Sequence, residues 1–173
     1  MRWGALLVAF VFVGVASANT APDNRGAGLY CDGSGSGNAC SPVLRRMVFR
    51  SNSAGVDGGG AYNDGRNGGT ASPVVSRTIF SNNSAGRHGG ALFTTGDGGT
   101  ANPTLYNALL AKNSASDNGG AIYNDGDGTT QITFLNTVFY NNFAQFRGGG
   151  LYNRNGDVDV ENTILRGNGA SND

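Results

Sequence analysis

The sequence predicts an all-β fold, a parallel β-helix (solenoid) of about five coils. Three observations predict it: a repeat of about 30 residues, an excess of turn-forming residues, and short apolar runs between the turns. The chain has 173 residues, of which 30 are glycine and 21 are asparagine. These residues interrupt the chain every few positions, whereas helical repeats need uninterrupted stretches of good helix formers. The repeats are therefore predicted to consist of strands and turns.

The first repeated element begins with glycine, continues through glycine or alanine, and ends with an apolar residue and an aromatic, as in Gly119-Gly120-Ala121-Ile122-Tyr123. Its five copies lie at residues 26–30, 58–62, 89–93, 119–123 and 148–152. The aromatics of successive copies are 29 to 32 residues apart. The first glycine of each copy (Gly26, Gly58, Gly89, Gly119 and Gly148) is predicted to have a positive φ or to allow close backbone approach.

The second repeated element has an apolar residue three positions before an asparagine, and an alanine two positions after it. Phe80-Ser81-Asn82-Asn83, followed by Ala85, is an example. The asparagines of this column are Asn52, Asn83, Asn113, Asn142 and Asn168. We predict that they form a turn ladder, because asparagine tolerates left-handed turns and stacked amides hydrogen-bond to one another.

The strands are predicted from runs of β-branched and aromatic residues between turn formers, for example residues 73–80 and 131–135. One repeat cannot bury its own apolar side, so it must stack on the next at a strand spacing of ~4.8 Å. Five coils would stand ~24 Å tall.

The two alternating elements resemble the repeats of the chlamydial polymorphic outer membrane proteins and of related right-handed parallel β-helix proteins. The resemblance covers residues 26 to 170. It implies a right-handed solenoid and a surface-displayed protein with an adhesive role. Related β-helices also include polysaccharide lyases and hydrolases, which implies a carbohydrate-active enzyme as the alternative.

The first eighteen residues are predicted to be a cleaved signal peptide. Arg2 is followed by an apolar run at residues 5–15, and Ala16-Ser17-Ala18 supplies the small residues of a peptidase site. Residues 19–25 then form a short N-terminal segment, and residues 26–173 form the repeat domain. No later segment is apolar enough to span a membrane. The protein is therefore predicted to be secreted, extracellular or associated with the cell surface or outer membrane.

Charge excludes one class of partner. Twelve Lys and Arg residues balance twelve Asp and Glu residues, and the one lysine is Lys112. Nucleic-acid binding proteins show a basic patch or stripe, which is missing from this sequence. A glycan or a cell-surface partner is predicted instead.

The two cysteines, Cys31 and Cys40, flank a glycine- and serine-rich stretch. In an oxidising compartment a loop this short and flexible can close, so we predict a disulfide between them. Two thiols without a second cysteine pair or a nearby histidine make a metal site a weaker interpretation.

The aromatic column is the predicted binding surface. If the residue before each aromatic faces the core, strand alternation turns the aromatics outward as a ladder of rings. The column comprises Tyr30, Tyr62, Phe93, Tyr123 and Tyr152. Such rings could stack on sugars; alternatively, they stabilise the coils by stacking on one another or close beneath a neighbouring loop.

Two adjacent apolar columns cannot both face inward from a straight strand. One column runs through Val48, Ile79, Leu109, Val138 and Ile164; the other follows it one residue later and contains Phe49, Phe80, Leu110, Phe139 and Leu165. One column is therefore predicted to lie at a bend or to face outward. An outward aliphatic column would mark a surface for a partner or for lateral association.

Candidates for catalysis lie in the loops after the aromatics. Asp97 and Asp127 each follow an aromatic by four residues, so on neighbouring coils they could lie ~5 Å apart, as in a retaining glycosidase. Together with Asp125 they could instead bind Ca²⁺. Their glycine neighbours favour solvated turns over either chemistry. His88, the single histidine, lies in a polar column and is predicted to be solvated.

These observations favour a non-catalytic binding module over an enzyme, and no cofactor apart from the weak calcium candidate. The last residues, 169–173, contain no capping element, so the repeat domain is predicted to be truncated or uncapped there. An open end of this kind would favour self-association through the terminal coil.

Overall fold

A computed structural model describes residues 11–126 and 130–172. The strands of the first coils are β1 (Val11–Phe12), β2 (Val15–Ser17), β3 (Thr20–Ala21), β4 (Leu29–Asp32), β5 (Val43–Arg45), β6 (Val48–Arg50), β7 (Ser53–Ala54), β8 (Ala61–Asp64), β9 (Val74–Ser76), β10 (Ile79–Ser81) and β11 (Ser84–Ala85). The later strands are β12 (Leu92–Thr95), β13 (Thr104–Tyr106), β14 (Leu109–Ala111), β15 (Ser114–Ala115), β16 (Ile122–Asp125), β17 (Gln131–Leu135), β18 (Val138–Tyr140), β19 (Phe143–Ala144), β20 (Leu151–Arg154), β21 (Asp157–Glu161), β22 (Ile164–Arg166) and β23 (Gly169–Ala170).

The strands form four parallel sheets that run along the solenoid. Sheet A has the order β1-β5-β9-β13-β17-β21, sheet B the order β2-β6-β10-β14-β18-β22, sheet C the order β3-β7-β11-β15-β19-β23, and sheet D the order β4-β8-β12-β16-β20. Equivalent residues of the repeats are direct neighbours, as Phe93 is of Tyr62 and Tyr123. The predicted all-β parallel solenoid of about five turns is confirmed. No helix is present in the described ranges, and none of their residues makes a membrane-spanning helix.

The main core lies between the sheets and is built from one inward residue or two per strand. Phe80 of sheet B, Leu105 of sheet A and Ile122 of sheet D are fully buried in it. Phe49 and Phe80 stack with ring centroids 4.7 Å apart, because the register places them on adjacent strands. Burial of one such side chain contributes about 1.5–3 kcal/mol, so each coil is stabilised mainly by contact with its neighbours.

Of the two adjacent apolar columns, the column of Phe80 faces the core and the aliphatic column faces outward. Ile79 is 39% exposed, while the neighbouring Phe80 is fully buried. The alternation of a straight strand explains this arrangement. The inward column ends at Leu165, which is 55% exposed on β22, the last strand of sheet B.

Left-handed residues recur at three turns of the coil: between sheets A and B, between sheets B and C, and at the glycine column before sheet D. Between sheets B and C the left-handed residue stands immediately before the asparagine of the predicted ladder: Ser51, Asn82, Lys112, Asn141 and Gly167 all have a positive φ. The predicted reason for the asparagines was therefore wrong in one respect, since the left-handed conformation belongs to the residue before them. Their side chains instead supply hydrogen bonds.

The asparagine ladder comprises Asn52, Asn83, Asn113, Asn142 and Asn168. Each of the first four donates from Nδ2 to the Oδ1 of the asparagine on the next coil over 2.8–2.9 Å. The backbone N–H of the same residue donates to that Oδ1 over 2.9–3.1 Å. The remaining Nδ2 hydrogen reaches the preceding coil; Asn113, for example, donates to the carbonyl of Phe80 over 3.0 Å. The ladder thus satisfies its buried polar groups along the solenoid.

A sixth copy of the asparagine element lies near the start of the described residues. Asn19 donates from Nδ2 to the Oδ1 of Asn52 over 2.8 Å, and Ala21 follows two positions later. The predicted signal peptide meets the described residues at 11–18, where β1 and β2 pair with β5 and β6. Cleavage after Ala18 stays a prediction.

The glycine column adopts the predicted positive φ, between 64° and 70° at its five positions. The next glycine along has a different function. A Cβ on Gly90 would collide with the carbonyl oxygens of Ser114 and Gly120, so the chain can pass this closely only without a side chain.

Cys31 and Cys40 form the predicted disulfide, with their Cα atoms 5.5 Å apart. The backbone N–H of Cys40 donates to the carbonyl of Thr70 over 2.8 Å. The disulfide therefore closes the loop that follows β4 and holds it against the next coil.

Candidate functional site

The aromatic ladder (Tyr30, Tyr62, Phe93, Tyr123 and Tyr152) is a continuous stack outside the main core. Successive ring centroids are 4.9–5.2 Å apart. The first four rings are nearly parallel, with interplanar angles of 1–8°. The rings lie on adjacent strands of sheet D, so the strand spacing sets the distance between them, and parallel rings pack closely at that distance.

The three central rings of the ladder are buried under the turns before and after them. Tyr62, Phe93 and Tyr123 are at most 5% exposed and form an apolar cluster of their own. Tyr30 is 42% exposed, because β4 is the first strand of sheet D and, among the residues that the structure describes, no ring stacks on its outer face. A ring of the ladder is therefore accessible for stacking at the Tyr30 end, and the central rings lie beneath the charged turns.

Asp57 anchors the turns before the aromatics. Its carboxylate is buried and accepts hydrogen bonds from Arg87 over 3.0 Å (Nε) and 2.6 Å (Nη2). Arg25 approaches the same carboxylate from the previous coil, at 3.4 Å, and places its guanidinium carbon 5.4 Å from the ring centroid of Tyr62. A buried carboxylate needs such partners, because its desolvation is otherwise costly.

Asp64 occupies the equivalent position on the turns after the aromatics. Its buried carboxylate accepts from Arg66 Nε over 2.8 Å and from Arg66 Nη2 over 2.6 Å, and from the Tyr30 hydroxyl over 3.1 Å. Burial alone raises the pKa of Asp64, but the Arg66 hydrogen bonds outweigh burial and lower the pKa below its usual value. The carboxylate therefore stays ionised and holds the Arg66 guanidinium in one orientation.

A cleft of about 230 Å³ opens between these two sets of turns, above the aromatic ladder. Arg66 and Arg87 line it toward the first coils, and Asp97, Asp125 and Arg154 line it toward the last. Tyr62 and Phe93 of the aromatic ladder also contribute to its lining.

Asp125 is the acid in the cleft with a perturbed pKa. Partial burial raises its pKa; Arg154, 3.8 Å away, opposes that rise, and the negative charge of Asp97 adds to it. In the parallel register Asp125 lies beside Thr95, so Asp97 is two residues further along its own coil. The cleft thus combines a carboxyl group of raised pKa with a second, exposed carboxylate.

The structure brings two of the three predicted acidic residues together, since Asp97 and Asp125 both line the cleft. Asp127 lies outside the described residues. Across the described ranges, no group of three or more histidine, cysteine, aspartate or glutamate side chains is placed to bind a metal ion.

His88 is not on a solvated face as predicted. Its ring lies 4.4 Å from the ring centroid of Tyr123 and is partly buried under the turn. Burial lowers the pKa of His88, with Asp57 opposing and Arg87 reinforcing the effect. The prediction was wrong because the polar column of His88 folds over the aromatic ladder instead of pointing away from it.

The arginines of the cleft were missed by sequence reasoning. Arg66, Arg87 and Arg154 occupy columns in which no other described coil carries an arginine, so no repeat of one residue type marks them. The register gave one signal: Asp32, Asp64, Thr95, Asp125 and Arg154 are direct neighbours along sheet D. A charged column beside an aromatic column could have indicated a site.

Residues 77–95 and 107–125 match the Chlamydia polymorphic membrane protein (Chlamydia_PMP) repeat. Each match contains one ladder asparagine and one ladder aromatic, Asn83 with Phe93 and Asn113 with Tyr123. No curated protein and no solved structure matches the chain. The two matches and the parallel β-solenoid confirm the resemblance seen in the sequence and indicate a surface-associated β-solenoid protein.

Proposed function

We propose that this chain is a surface-associated binding module that holds a glycan in the cleft above the aromatic ladder and does not turn it over. The cleft carries the proposal. It brings four arginines and three aspartates together beside two buried aromatic rings, and such convergent polar groups can orient a ligand. The exposed face of Tyr30, at the end of the ladder, offers an additional stacking surface.

The scaffold supports a binding role because the site is rigid. The ladder rings are stacked on parallel strands, and two of the cleft arginines are each held by two hydrogen bonds to a buried carboxylate. A rigid site binds with a smaller loss of conformational entropy than a mobile loop.

Binding is tested by titrating fluorescently labelled full-length chain over a panel of neutral and acidic oligosaccharides. Tyr30→Ala removes the exposed ring, and Tyr140→Ala is a matched control, because Tyr140 is 40% exposed on sheet B, outside the cleft. We expect Tyr30→Ala to weaken glycan binding and Tyr140→Ala to leave it unchanged. Absence of binding to every glycan would refute the proposal.

Asp97 and Asp125 favour an enzyme as the second candidate function. The carboxyl group of Asp125 has a raised pKa and, beside the Asp97 carboxylate, can act as a general acid. The double variant Asp97→Asn with Asp125→Asn distinguishes the two functions. Release of reducing ends or unsaturated products by the unmodified chain, and its loss in the double variant, would replace the binding module with an enzyme.

A further inference from the structure

The cleft contains guanidinium groups that are fixed but only partly used. Arg66 and Arg87 each donate through Nε and Nη2 to a buried carboxylate. A guanidinium carries five N–H donors, so three on each arginine are left for another acceptor. Among the described residues, neither side chain has a further hydrogen-bond partner. Both remain partly exposed, at 35% and 46%.

Fixed guanidinium groups recognise a planar anion best. A carboxylate accepts two parallel N–H bonds from one guanidinium, and little entropy is lost when the guanidinium is already held in place. Asp64 holds Arg66 and Asp57 holds Arg87, so both guanidinium groups are already oriented when a ligand binds.

The charge balance of the cleft argues against a highly charged polyanion. Arg25, Arg66, Arg87 and Arg154 are balanced by Asp57, Asp64, Asp97 and Asp125. The whole chain is also neutral, with twelve basic and twelve acidic residues. Without a positive field to attract a dense polyanion, the site suits a ligand with an isolated carboxylate and uncharged hydroxyl groups.

Asp97 and Asp125 suit such hydroxyl groups, because an ionised carboxylate accepts hydrogen bonds and donates none. The volume of about 230 Å³ is below the roughly 300–1,000 Å³ of pockets that enclose drug-sized ligands, so one sugar unit of a longer chain is the fitting occupant.

We propose that the cleft binds one uronic acid residue of a glycan, with its carboxylate on Arg66 and Arg87 and its hydroxyls on Asp97 and Asp125. This inference rests on the proposed glycan-binding function and names the sugar class that the site selects.

The experiment measures the affinity of the full-length chain for an oligogalacturonate and for the same oligosaccharide after reduction of its carboxyl groups to alcohols. We expect the acidic form to bind about tenfold or more tightly, as loss of a charge-assisted pair implies. Arg66→Lys keeps the charge but removes the planar fork, and should reduce this preference, with Arg87 retaining part of it. Arg166→Lys is the matched control, exposed on sheet B, and should change neither affinity.

Equal binding of the acidic and reduced forms would overturn this inference and leave a neutral-glycan module standing, whereas binding of neither form, with the wider panel also negative, would overturn both proposals. Tighter binding of a heavily sulfated polysaccharide would also overturn it. Because Arg66→Lys disturbs a buried carboxylate, Asp97→Asn serves as a second variant on an exposed loop. It should weaken the acidic and the reduced form alike, and an unchanged affinity for both would contradict the assigned hydroxyl contacts.

Discussion

The asparagine ladder and the aromatic ladder are built from the same repeat but differ in what they leave accessible. Each of the first four amides of the asparagine ladder bonds to the next coil and to the preceding one, and Asn52, Asn83 and Asn113 have no exposed surface. The aromatic ladder is equally regular in its stacking, but the turns around it differ from coil to coil. Those turns bring Asp57, Arg87 and Asp97 to the surface of one cleft.

Columns in which the same residue recurs on every coil stabilise the solenoid. Columns in which the residue changes from coil to coil form the candidate site. A column in which every coil carries the same residue is satisfied by its own neighbours and has no free groups to offer a ligand. A column that changes from Arg25 to Asp57 to His88 places different groups side by side, which a ligand with several functional groups can use.

The largest effect is expected from Asn113→Ala, at the middle of the asparagine ladder. The substitution leaves the N–H and Nδ2 of Asn83 and the carbonyl of Phe80 without their partner in the buried interior. At about 1–3 kcal/mol for each buried unsatisfied group, partly relieved by relaxation, the free energy of unfolding should fall by about 3–5 kcal/mol. Denaturant unfolding measures this change.

Phe93→Leu is the matched control on the other ladder, since it keeps an apolar side chain of similar size in a stack that already tolerates both phenylalanine and tyrosine. We expect a loss of about 1 kcal/mol. A loss from Asn113→Ala no larger than that from Phe93→Leu would mean that the amide bonds are not the main stabilising contacts of their corner.

The stability of the protein should depend on pH through His88, which is partly buried. Burial lowers the pKa of His88 in the folded state, so the unfolded chain binds more protons just below its ordinary value of about 6.5. Stability should therefore rise with pH through the window that ends near 6.5, and fall on acidification. The groups facing the imidazole are Asp57, Arg87, Asp117 and Asp125.

His88→Asn isolates this effect, because His88 is the single histidine of the chain and the next coil carries Asn118 at the same position. Thermal unfolding at pH 5 and pH 7 should show a smaller difference in the variant than in the unmodified chain. Since the pKa of Asp125 is raised, its own contribution runs the opposite way at lower pH and is common to both proteins. If the variant had the same pH dependence of stability as the unmodified chain, the His88 imidazole would be solvated and not buried under the turn.

The sequence predicts the scaffold well because every coil repeats the same physical requirement. Aligning Phe80 with Phe49, or Asn113 with Asn83, needs only the period of the repeat, and the strand register follows it. The sixth copy at Asn19 was missed because it spans the predicted signal-peptide cleavage site.

The site is less predictable because its contacts join turns of different coils. Arg87 lies thirty residues from Asp57 and belongs to a column in which the neighbouring coils carry Val56 and Asp117, so no repeated residue type links the two. Likewise, the burial of His88 depends on how one turn folds over Tyr123, which the local sequence does not determine.

The smallest effect is expected from Tyr30→Phe at the open end of the aromatic ladder. The substitution removes the hydrogen bond to Asp64 but keeps the ring and its stacking on Tyr62. Because Tyr30 is partly exposed and Asp64 retains Arg66, water can replace the hydroxyl, and stability should fall by about 0.5 kcal/mol or less. The Tyr140 hydroxyl has no hydrogen bond to a described residue, so Tyr140→Phe should leave the free energy of unfolding unchanged. If Tyr30→Phe alone lowered the free energy of unfolding by more than about 1.5 kcal/mol, the Tyr30 hydroxyl would be a major stabilising contact of the aromatic ladder, comparable to an amide bond of the asparagine ladder.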